Sequence, residues 1–588
     1  MDILLIDSIN FNDTNKIPQM GLESLYTILS RKFEVKIIDF DLLHHKKEFV
    51  YSNDMDEDIE RMVDYLIEIN PKVYSFYTIS NSYPITVLVA QKISQKKKDA
   101  KIVFGGPQAT MTVDETMTFF PFVKAIGMGE GELYIEQMMR TILEDGDLSK
   151  VEGVAYRKGN KIVKNTMPRL LTSEELNDIS FLDFELKSDY EDEGKVVSIE
   201  AGRGCPCGCS FCSTTLFWHK NFRLRDINVI VKEIERLHKE YGVKHVDLQH
   251  DHFTVNKKLL DEFCKKLIEL DLEVTWGCSS RIYNLKLESI DLMKKSKCRS
   301  IFVGFETGSK KMQKELHINL KIYDAIEKII YIYNLGIEIT VSFIYGLPNE
   351  TIEDFLETVN VMDRLYQAGV KKIQLHRYMP LPMTEELFKV KNKLYLDKTD
   401  IDISIYNDSI SSNEIYSMIE KYTDCFTQFY TFDSEVRKKY KHFDFFINFF
   451  SSIAKNSPYT MQELVKMYGL EKIYKEWEKD IENAYILMNS GNIEEFFTYD
   501  HMPEIFKNLY KKIIDESMKM GNDYYKNIAK YESLVLNMDF NEDVVYEFDY
   551  DVLGITNGKH NFEKTETYIT FKESEDNQIK ITKIKLPN

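Results

Sequence analysis

The sequence predicts an α/β protein: two successive β-α series, then a mostly helical C-terminal region ending in a short β tail. Three observations carry this reading. Short apolar runs without alternation recur between helix-period segments over residues 1–150 and again over 193–395, the pattern of parallel strands covered on both faces. Beyond residue 395 the pattern changes to long, aromatic-rich helical stretches. The 588 residues, 43% hydrophobic with only 13 Pro, suffice for about three or four domains and exclude an intrinsically disordered chain.

Residues 2–6 read as a strand and 21–30 as a helix, with further strands at 34–40, 73–80, 101–104 and 124–128. Amphipathic stretches at 56–69 and 85–98 separate them. This predicts a five-stranded doubly wound, Rossmann-like domain over 1–150, with its ligand beyond the carboxyl ends of the strands. Residues 152–165 alternate around a Lys-Gly-Asn turn and read as a hairpin opening a linker over 151–192. The second series, 193–395, has candidate strands at 196–201, 243–250, 273–279, 300–306, 338–345 and 372–378. Helical segments lie between them, which predicts a partial (βα)6 barrel. The remaining residues, 396–588, contain helical stretches at 414–430 and 463–488 and short strands from 544 onward. Aromatic stripes at 427–432 and 442–450 read as core packing.

The balance of 76 Lys+Arg against 95 Asp+Glu, a net charge of −19, argues against nucleic-acid partners. No apolar run reaches the roughly 18–20 residues of a membrane span. The opening MDILLIDSINFND has neither a basic n-region nor a small-residue cleavage site, so a cytoplasmic location is expected.

Four of the eight cysteines, Cys205, Cys207, Cys209 and Cys212, fall within eight positions, in GRGCPCGCSFC just after the first strand of the second series. A disulfide framework does not suit a chain of this size without an export signal. Clustered thiolates suit zinc, with His219 as a fourth ligand, or an iron–sulfur cluster. The x3 and x2 spacing of Cys205, Cys209 and Cys212 suits three irons of a [4Fe–4S] cube and leaves the fourth open. This segment, with Phe211 before the last cysteine, closely resembles the radical S-adenosylmethionine (radical SAM) superfamily. The resemblance implies that the open iron chelates SAM and that the reduced cluster cleaves it to a 5′-deoxyadenosyl radical. It also implies SAM contacts elsewhere in the barrel: Glu306, with Gly304, in FVGFETGS, Ser279 and Arg281 in WGCSSRI, and the turn at Gly346 and Pro348. The superfamily's two-glycine-and-glutamate motif after the second strand is replaced by LQHDHFTV. There Asp251 is the polar substitute, and His250 and His252 read as structural. Cys207 lies outside the pattern and reads as an unligated thiol.

In the first domain, Gly21 follows the first strand and Thr78, Ser80 and Asn81 follow the third. Gly105, Gly106 and Pro107 follow the fourth, and Gly129, Glu130 and Gly131 the fifth. Small residues at those ends let a large planar ligand approach the backbone. No G-x-G-x-x-G follows the first strand, which disfavours a dinucleotide. Together these pieces resemble the cobalamin-binding domain fused ahead of radical SAM barrels, over about residues 1–380. No D-x-H-x-x-G motif is present, and the resemblance implies cobalamin bound without a histidine on its lower face (His-off). The combination implies a cobalamin-dependent radical SAM methyltransferase acting on an unactivated carbon, or on phosphorus, of a peptide or small natural-product substrate. A reductant such as flavodoxin or ferredoxin is implied with it. Ring closure, rearrangement or peptide cross-linking with the same cofactors is the alternative. An RNA methylthiotransferase would need three further cysteines in the first domain, and none precedes Cys205. Residues 396–588 match no motif; in relatives such extensions close the active site or shape substrate choice.

Overall fold

The computed structural model describes residues 1–9, 19–52, 54–179, 196–397, 412–456, 458–488, 526–532, 546–549, 552, 567–573 and 579–584. Pro18, the end of the expected linker (180–192) and residues 398–411 lie outside the described residues. Both expected β-α series are present. The first consists of β1 (Ile3–Ile6), β2 (Val35–Ile38), β3 (Val73–Tyr77), β4 (Lys101–Gly105) and β5 (Val123–Gly127), all parallel. Helices Met55–Ile69 and Tyr83–Lys96 cover one face, and Met20–Leu29 and Ile135–Leu143 the other. The strands are therefore apolar without alternation, as the sequence pattern requires. Strand order β2-β1-β3-β4-β5 reverses between β1 and β3, so a crevice opens at their carboxyl ends.

The hairpin of β6 (Val154–Lys158) and β7 (Lys161–Lys164) pairs antiparallel onto β5. It extends the first sheet to seven strands and does not open a linker. The physical reason is burial: Val154, Ala155 and Tyr156 pack into the sheet's cores.

The second series begins with β8 (Val196–Glu200) and a short antiparallel ribbon, β9 (Gly202–Arg203) with β10 (Arg223–Leu224). It continues through β11 (His245–Gln249), β12 (Thr275–Ser280), β13 (Cys298–Glu306), β14 (Glu338–Tyr345) and β15 (Lys372–Arg377). Strands β8 and β11 to β15 form one parallel six-stranded sheet in chain order. Such a partial barrel leaves β15 with a free edge. In a parallel strand one residue's N–H and C=O point to the same side, so alternate residues of β15 face away from β14. The helix Phe443–Asn456 covers them. Ser451 Oγ accepts from the Ile373 N–H (3.1 Å) and donates to the Ile373 carbonyl (2.6 Å). Asn448 Oδ1 accepts from the Leu375 N–H (3.2 Å), and its Nδ2 donates to the Leu375 carbonyl (3.1 Å). Two polar side chains thus replace the missing strand.

The C-terminal region also grips the first domain. Helix Asn413–Lys421 packs on helix Tyr83–Lys96, and Phe426 packs at a tilt against Tyr83 with ring centroids 5.5 Å apart. The expected helix over 414–430 stops at Lys421 because Phe426 and Phe429 turn inward to join the first domain's core. The expected helix over 463–488 is broken at Gly469, between Pro458–Tyr468 and Leu470–Met488. The aromatic stripes are core as expected, with Phe429, Phe432, Phe443, Phe446 and Phe450 all buried. The tail strands, Tyr546–Phe548, Thr567–Glu573 and Ile579–Ile584, form an antiparallel sheet. No helix among the described residues is long and apolar enough to cross a membrane.

Replacing Asn448 with leucine leaves a buried N–H and C=O of Leu375 unpaired, at a cost of about 1–3 kcal/mol. We expect the Asn448→Leu variant to unfold at lower urea concentration than the wild type. An unchanged transition would mean that apolar packing alone covers the edge.

Candidate active site

The cysteine loop leaves the barrel at the carboxyl end of β8 and is pinned at several points. Gly204 has φ +88°, and a Cβ there would lie 2.1 Å from the Asn221 carbonyl oxygen, so only glycine fits. Its N–H donates to Asp251 Oδ2 at 2.9 Å, which ties the loop to the segment after β11. Burial raises the Asp251 carboxyl above its ordinary range, and the Gly204 N–H works against that shift. Farther along, the Ser210 N–H donates to the Leu316 carbonyl (3.2 Å) and Ser210 Oγ donates to Glu386 Oε1 (2.7 Å). These contacts gather four thiols, all free of disulfides.

Cys205 and Cys209 are buried; Cys207 and Cys212 are half-buried. Arg281 reaches the loop from the end of β12, with Nη2 3.3 Å from Cys209 Sγ and Nη1 3.2 Å from Glu306 Oε1. Burial pushes the Cys209 thiol up to about 11, and Arg281 opposes this by favouring the thiolate. Burial likewise raises Glu306, again opposed by Arg281. The fully buried His252 places Nδ1 4.0 Å from Cys205 Sγ and 3.9 Å from Cys207 Sγ. Its Nε2 has no hydrogen-bond partner among the described residues. The Tyr283 hydroxyl lies 3.2 Å from Cys207 Sγ.

A cavity of about 620 Å³ lies where the carboxyl ends of the two sheets face each other. That volume falls in the ~300–1,000 Å³ range of small-molecule and cofactor sites. The first domain contributes Met20, Ser80, Pro107 and Gln108. Barrel strand ends contribute Glu200, Gln249 and Ser279, and Asp251 stands just beyond. Phe217 and Trp218, after the last loop cysteine, add aromatic walls. At the first domain's rim, Gly106 has φ +96° and a Cβ there would lie 2.7 Å from the Thr78 carbonyl oxygen. Thr78 Oγ1 donates to the Gly105 carbonyl (2.7 Å), and Ser80 Oγ donates to Gln108 Oε1 (2.8 Å). Close packing of the β3 and β4 ends thereby sets Ser80 and Pro107 side by side on the cavity wall.

A buried ion-pair cluster joins the two halves. Arg203, two residues before Cys205, is only 6% exposed. Its Nη1 meets Glu130 Oε1 (2.9 Å), its Nη2 meets Glu132 Oε1 (2.8 Å) and its Nε meets Glu200 Oε1 (2.7 Å). Arg223 Nη1 meets Glu130 Oε2 (2.7 Å), which also accepts the Leu171 N–H (2.9 Å). Burial alone would raise the Glu132 carboxyl, but Arg203 outweighs it and holds Glu132 below its ordinary range. At the far side of the barrel, Glu350 accepts from the Gly346 and Leu347 N–H groups and is pushed up to about 8 by burial. Arg437 of the C-terminal region clamps the same turn, its Nε donating to the Gly346 carbonyl at 2.9 Å.

Of the residues expected from sequence, Ser80, Pro107, Asp251 and Ser279 line the cavity. Cys205, Cys209 and Cys212 stand on the loop beside it, with Arg281 and Glu306 at Cys209. Thr78, Gly105 and Gly106 shape the rim from beneath. Asn81 accepts from the Ser82 N–H, and the Gly129 N–H donates to Thr110 Oγ1. A Cβ on Gly131 would meet Leu25, which places that glycine against the helix Met20–Leu29. Glu130 is not a cavity residue: both its oxygens are occupied by Arg203, Arg223 and Leu171. Arg203, Glu200 and Trp218 line the cavity without having been expected. The signal for Arg203 was its place in Gly-Arg-Gly-Cys, an arginine inside a loop otherwise made of small residues and cysteines.

Residues 199–362 match the Radical SAM superfamily. An uncharacterized methyltransferase of Pyrococcus horikoshii is 26% identical over 351 residues, 59% of this chain and 73% of that protein. The anaerobic magnesium-protoporphyrin IX monomethyl ester cyclase of Cereibacter sphaeroides is 28% identical over 357 residues, 59% of this chain and 57% of the cyclase. In three dimensions the chain is similar to TsrM of Kitasatospora setae, a radical S-adenosylmethionine methyltransferase solved with cobalamin and a [4Fe–4S] cluster. That match has a TM-score of 0.54 at 15% identity and covers 67% of this chain and 75% of TsrM. OxsB, a cobalamin-dependent S-adenosylmethionine radical enzyme, matches with a TM-score of 0.56 at 13% identity, over 91% of this chain and 84% of OxsB. At these identities the structural likeness speaks for the fold.

An Arg203→Met substitution takes the arginine from buried Glu132 and Glu200, while Arg223 still holds Glu130, a loss on the order of 3–5 kcal/mol. For Glu132 the sign of the pH dependence reverses as well. In the wild type Glu132 is depressed, so its contribution is complete above the unfolded carboxylate pKa of about 4.3 and fades as pH falls through the lower folded value. Without Arg203, burial raises Glu132 above its ordinary range, so its contribution is present at low pH and is lost as pH rises through the raised value. Thermal melts across pH 4 to 8 read this directly; parallel wild-type and variant curves would contradict it.

Proposed function

We propose that this chain, whose residues 199–362 match the Radical SAM superfamily and whose fold is that of cobalamin-dependent members, methylates an unactivated carbon of a small natural-product or peptide substrate. The observation that carries this reading is the cavity in which the carboxyl ends of both sheets meet beside the cysteine loop. Each half contributes one kind of wall, and the space between them suits a reaction that uses two cofactors at once.

The donor sets fit the groups concerned. Cys205, Cys209 and Cys212 would hold a [4Fe–4S] cluster, since their thiols are free of disulfides and stand on one loop that Gly204 turns tightly. Arg281 counters the thiolate charge at Cys209 and keeps Glu306 beside it. Ser279 and Asp251 would face SAM from the strand ends. Cobalamin would lie against Gly21, Ser80 and Pro107, where small side chains leave the backbone close to the cavity. Among the described residues no histidine of the first domain lines the cavity, which suits cobalamin bound His-off. His250 lines it from the barrel side, but its Nδ1 already accepts the His252 N–H and its Nε2 lies 3.3 Å from the Arg223 carbonyl. When bound, the reduced cluster and SAM supply a radical that abstracts hydrogen, and cobalamin supplies the methyl group. The chain's own part is to hold these reactants in register and keep water out, with Met20, Met111, Phe217 and Trp218 as apolar walls.

The deciding experiment gives anaerobically reconstituted, reduced protein SAM carrying a trideuterated methyl group together with a host-cell extract. A product heavier by one labelled methyl, with 5′-deoxyadenosine, supports methylation. A product that has lost hydrogens and carries no label sinks it in favour of the ring closure performed by the cyclase relative.

Alanine at Cys205, Cys209 or Cys212 is expected to remove the cluster and reduce 5′-deoxyadenosine formation at least ~100-fold, about 2.7 kcal/mol or more in barrier. Alanine at Cys207 should leave iron content and 5′-deoxyadenosine formation within about twofold of wild type. Iron and sulfide assays with product chromatography check both. Loss of the cluster in Cys207→Ala would assign Cys207 and His252 to the ligand set instead.

A further inference from the structure

We propose that the surface around Gly208 and the helix Lys310–Glu315 is the docking site of an acidic one-electron carrier protein. The inference rests on the radical SAM reading and adds a partner to that site. The cysteine loop reaches solvent over residues 206–208, where Pro206 is exposed and Cys207 and Gly208 are half-buried. Gly208 stands between Cys207 and Cys209, and basic side chains meet it from two sides. His317 Nδ1 lies 3.3 Å from the Gly208 carbonyl oxygen, and a methyl group on Gly208 would lie 3.0 Å from Lys220 Nζ. From His317 an open groove of about 750 Å³ runs past Lys314, Lys310 and Lys321.

Positive charge collects on this patch. Lys220, Lys310, Lys314 and Lys321 are exposed and make no ion pair among the described residues. The neighbouring Lys311 is neutralised by Asp354 at 2.6 Å. Of the acids nearby, Asp324 is paired with Lys328 and Glu315 accepts from Asn349. This local excess of positive charge, on a chain of net charge −19, attracts an acidic partner that the acidic surface elsewhere repels.

Location selects which acidic partner. The groove shares no lining residue with the cavity, so its occupant comes close to the cysteine loop without reaching the substrate. A substrate has no use for such a position; an electron source does. The carrier gives one electron to the cluster held by Cys205, Cys209 and Cys212, is itself oxidised by one electron, and transfers no atom.

The test uses the full chain, wild type and a Lys314→Glu/Lys321→Glu double variant, with an acidic flavodoxin as probe. Calorimetry at low ionic strength should show the dissociation constant rising at least ~10-fold in the variant, and added salt should close the gap. In parallel, 5′-deoxyadenosine formation driven by reduced flavodoxin should fall while that driven by dithionite stays unchanged. Equal binding by variant and wild type overturns the proposal, as does a variant that loses the dithionite-driven rate too, or a wild type that binds no flavodoxin. Absence of dithionite-driven 5′-deoxyadenosine in the wild type would instead contradict the radical SAM reading, and the binding arm would still decide the docking site.

Discussion

The guanidinium of Arg203 is the point at which the two halves of this protein are fastened. Its nitrogens are divided between Glu130 and Glu132, on the loop after the last parallel strand of the first sheet, and Glu200, at the end of the first barrel strand. Such a buried cluster adds little net stability, because desolvation consumes most of the Coulomb gain. Its value is geometric: charges that cannot be left unpaired in a dry interface admit one relative placement of the two sheets. Because Arg203 lies two residues before Cys205, that placement also sets where the cysteine loop begins. The cavity, its two kinds of wall and the orientation of the loop all follow from it.

The C-terminal region is a second fastening, built differently. A six-stranded sheet does not close, and Ser451 and Asn448 satisfy the open edge of the last strand with side-chain hydrogen bonds. The same region reaches the first domain's rim. Gln428 Nε2 donates to the Ser80 carbonyl (2.8 Å), and Gln108 Nε2 donates to the Cys425 carbonyl (3.2 Å). Since Ser80 and Gln108 line the cavity, the region supports the cavity wall from behind. Arg437 extends that support to the turn after β14 by donating to Gly346 and Tyr378.

What the sequence made legible follows from where the determining physics is local. Parallel strands buried on both faces announce themselves as apolar runs, and the cysteine spacing is a local property of eight residues. Strand ends rich in small residues drew attention to Ser80 and Pro107, which line the cavity. The failures are non-local. Glu130 reads as a ligand contact because its partners, Arg203 and Arg223, lie 73 and 93 residues away in sequence. The hairpin at Val154–Lys158 reads as the start of a linker because nothing in its own alternation says that it docks on β5. Phe426 and Phe429 sit in a helix-like pattern, yet the first domain's core draws them out of it.

The central claim is that one cavity, between Ser80 and Pro107 on one side and Ser279 and the cysteine loop on the other, receives both cofactors. Anaerobic crystals grown with hydroxocobalamin and SAM test it most directly. The account predicts corrin density against Ser80 and Pro107, with the SAM sulfonium between the corrin and a cluster held by Cys205, Cys209 and Cys212. Corrin bound elsewhere, or a metal held by Cys205, Cys207 and His252 in place of that cluster, would contradict it.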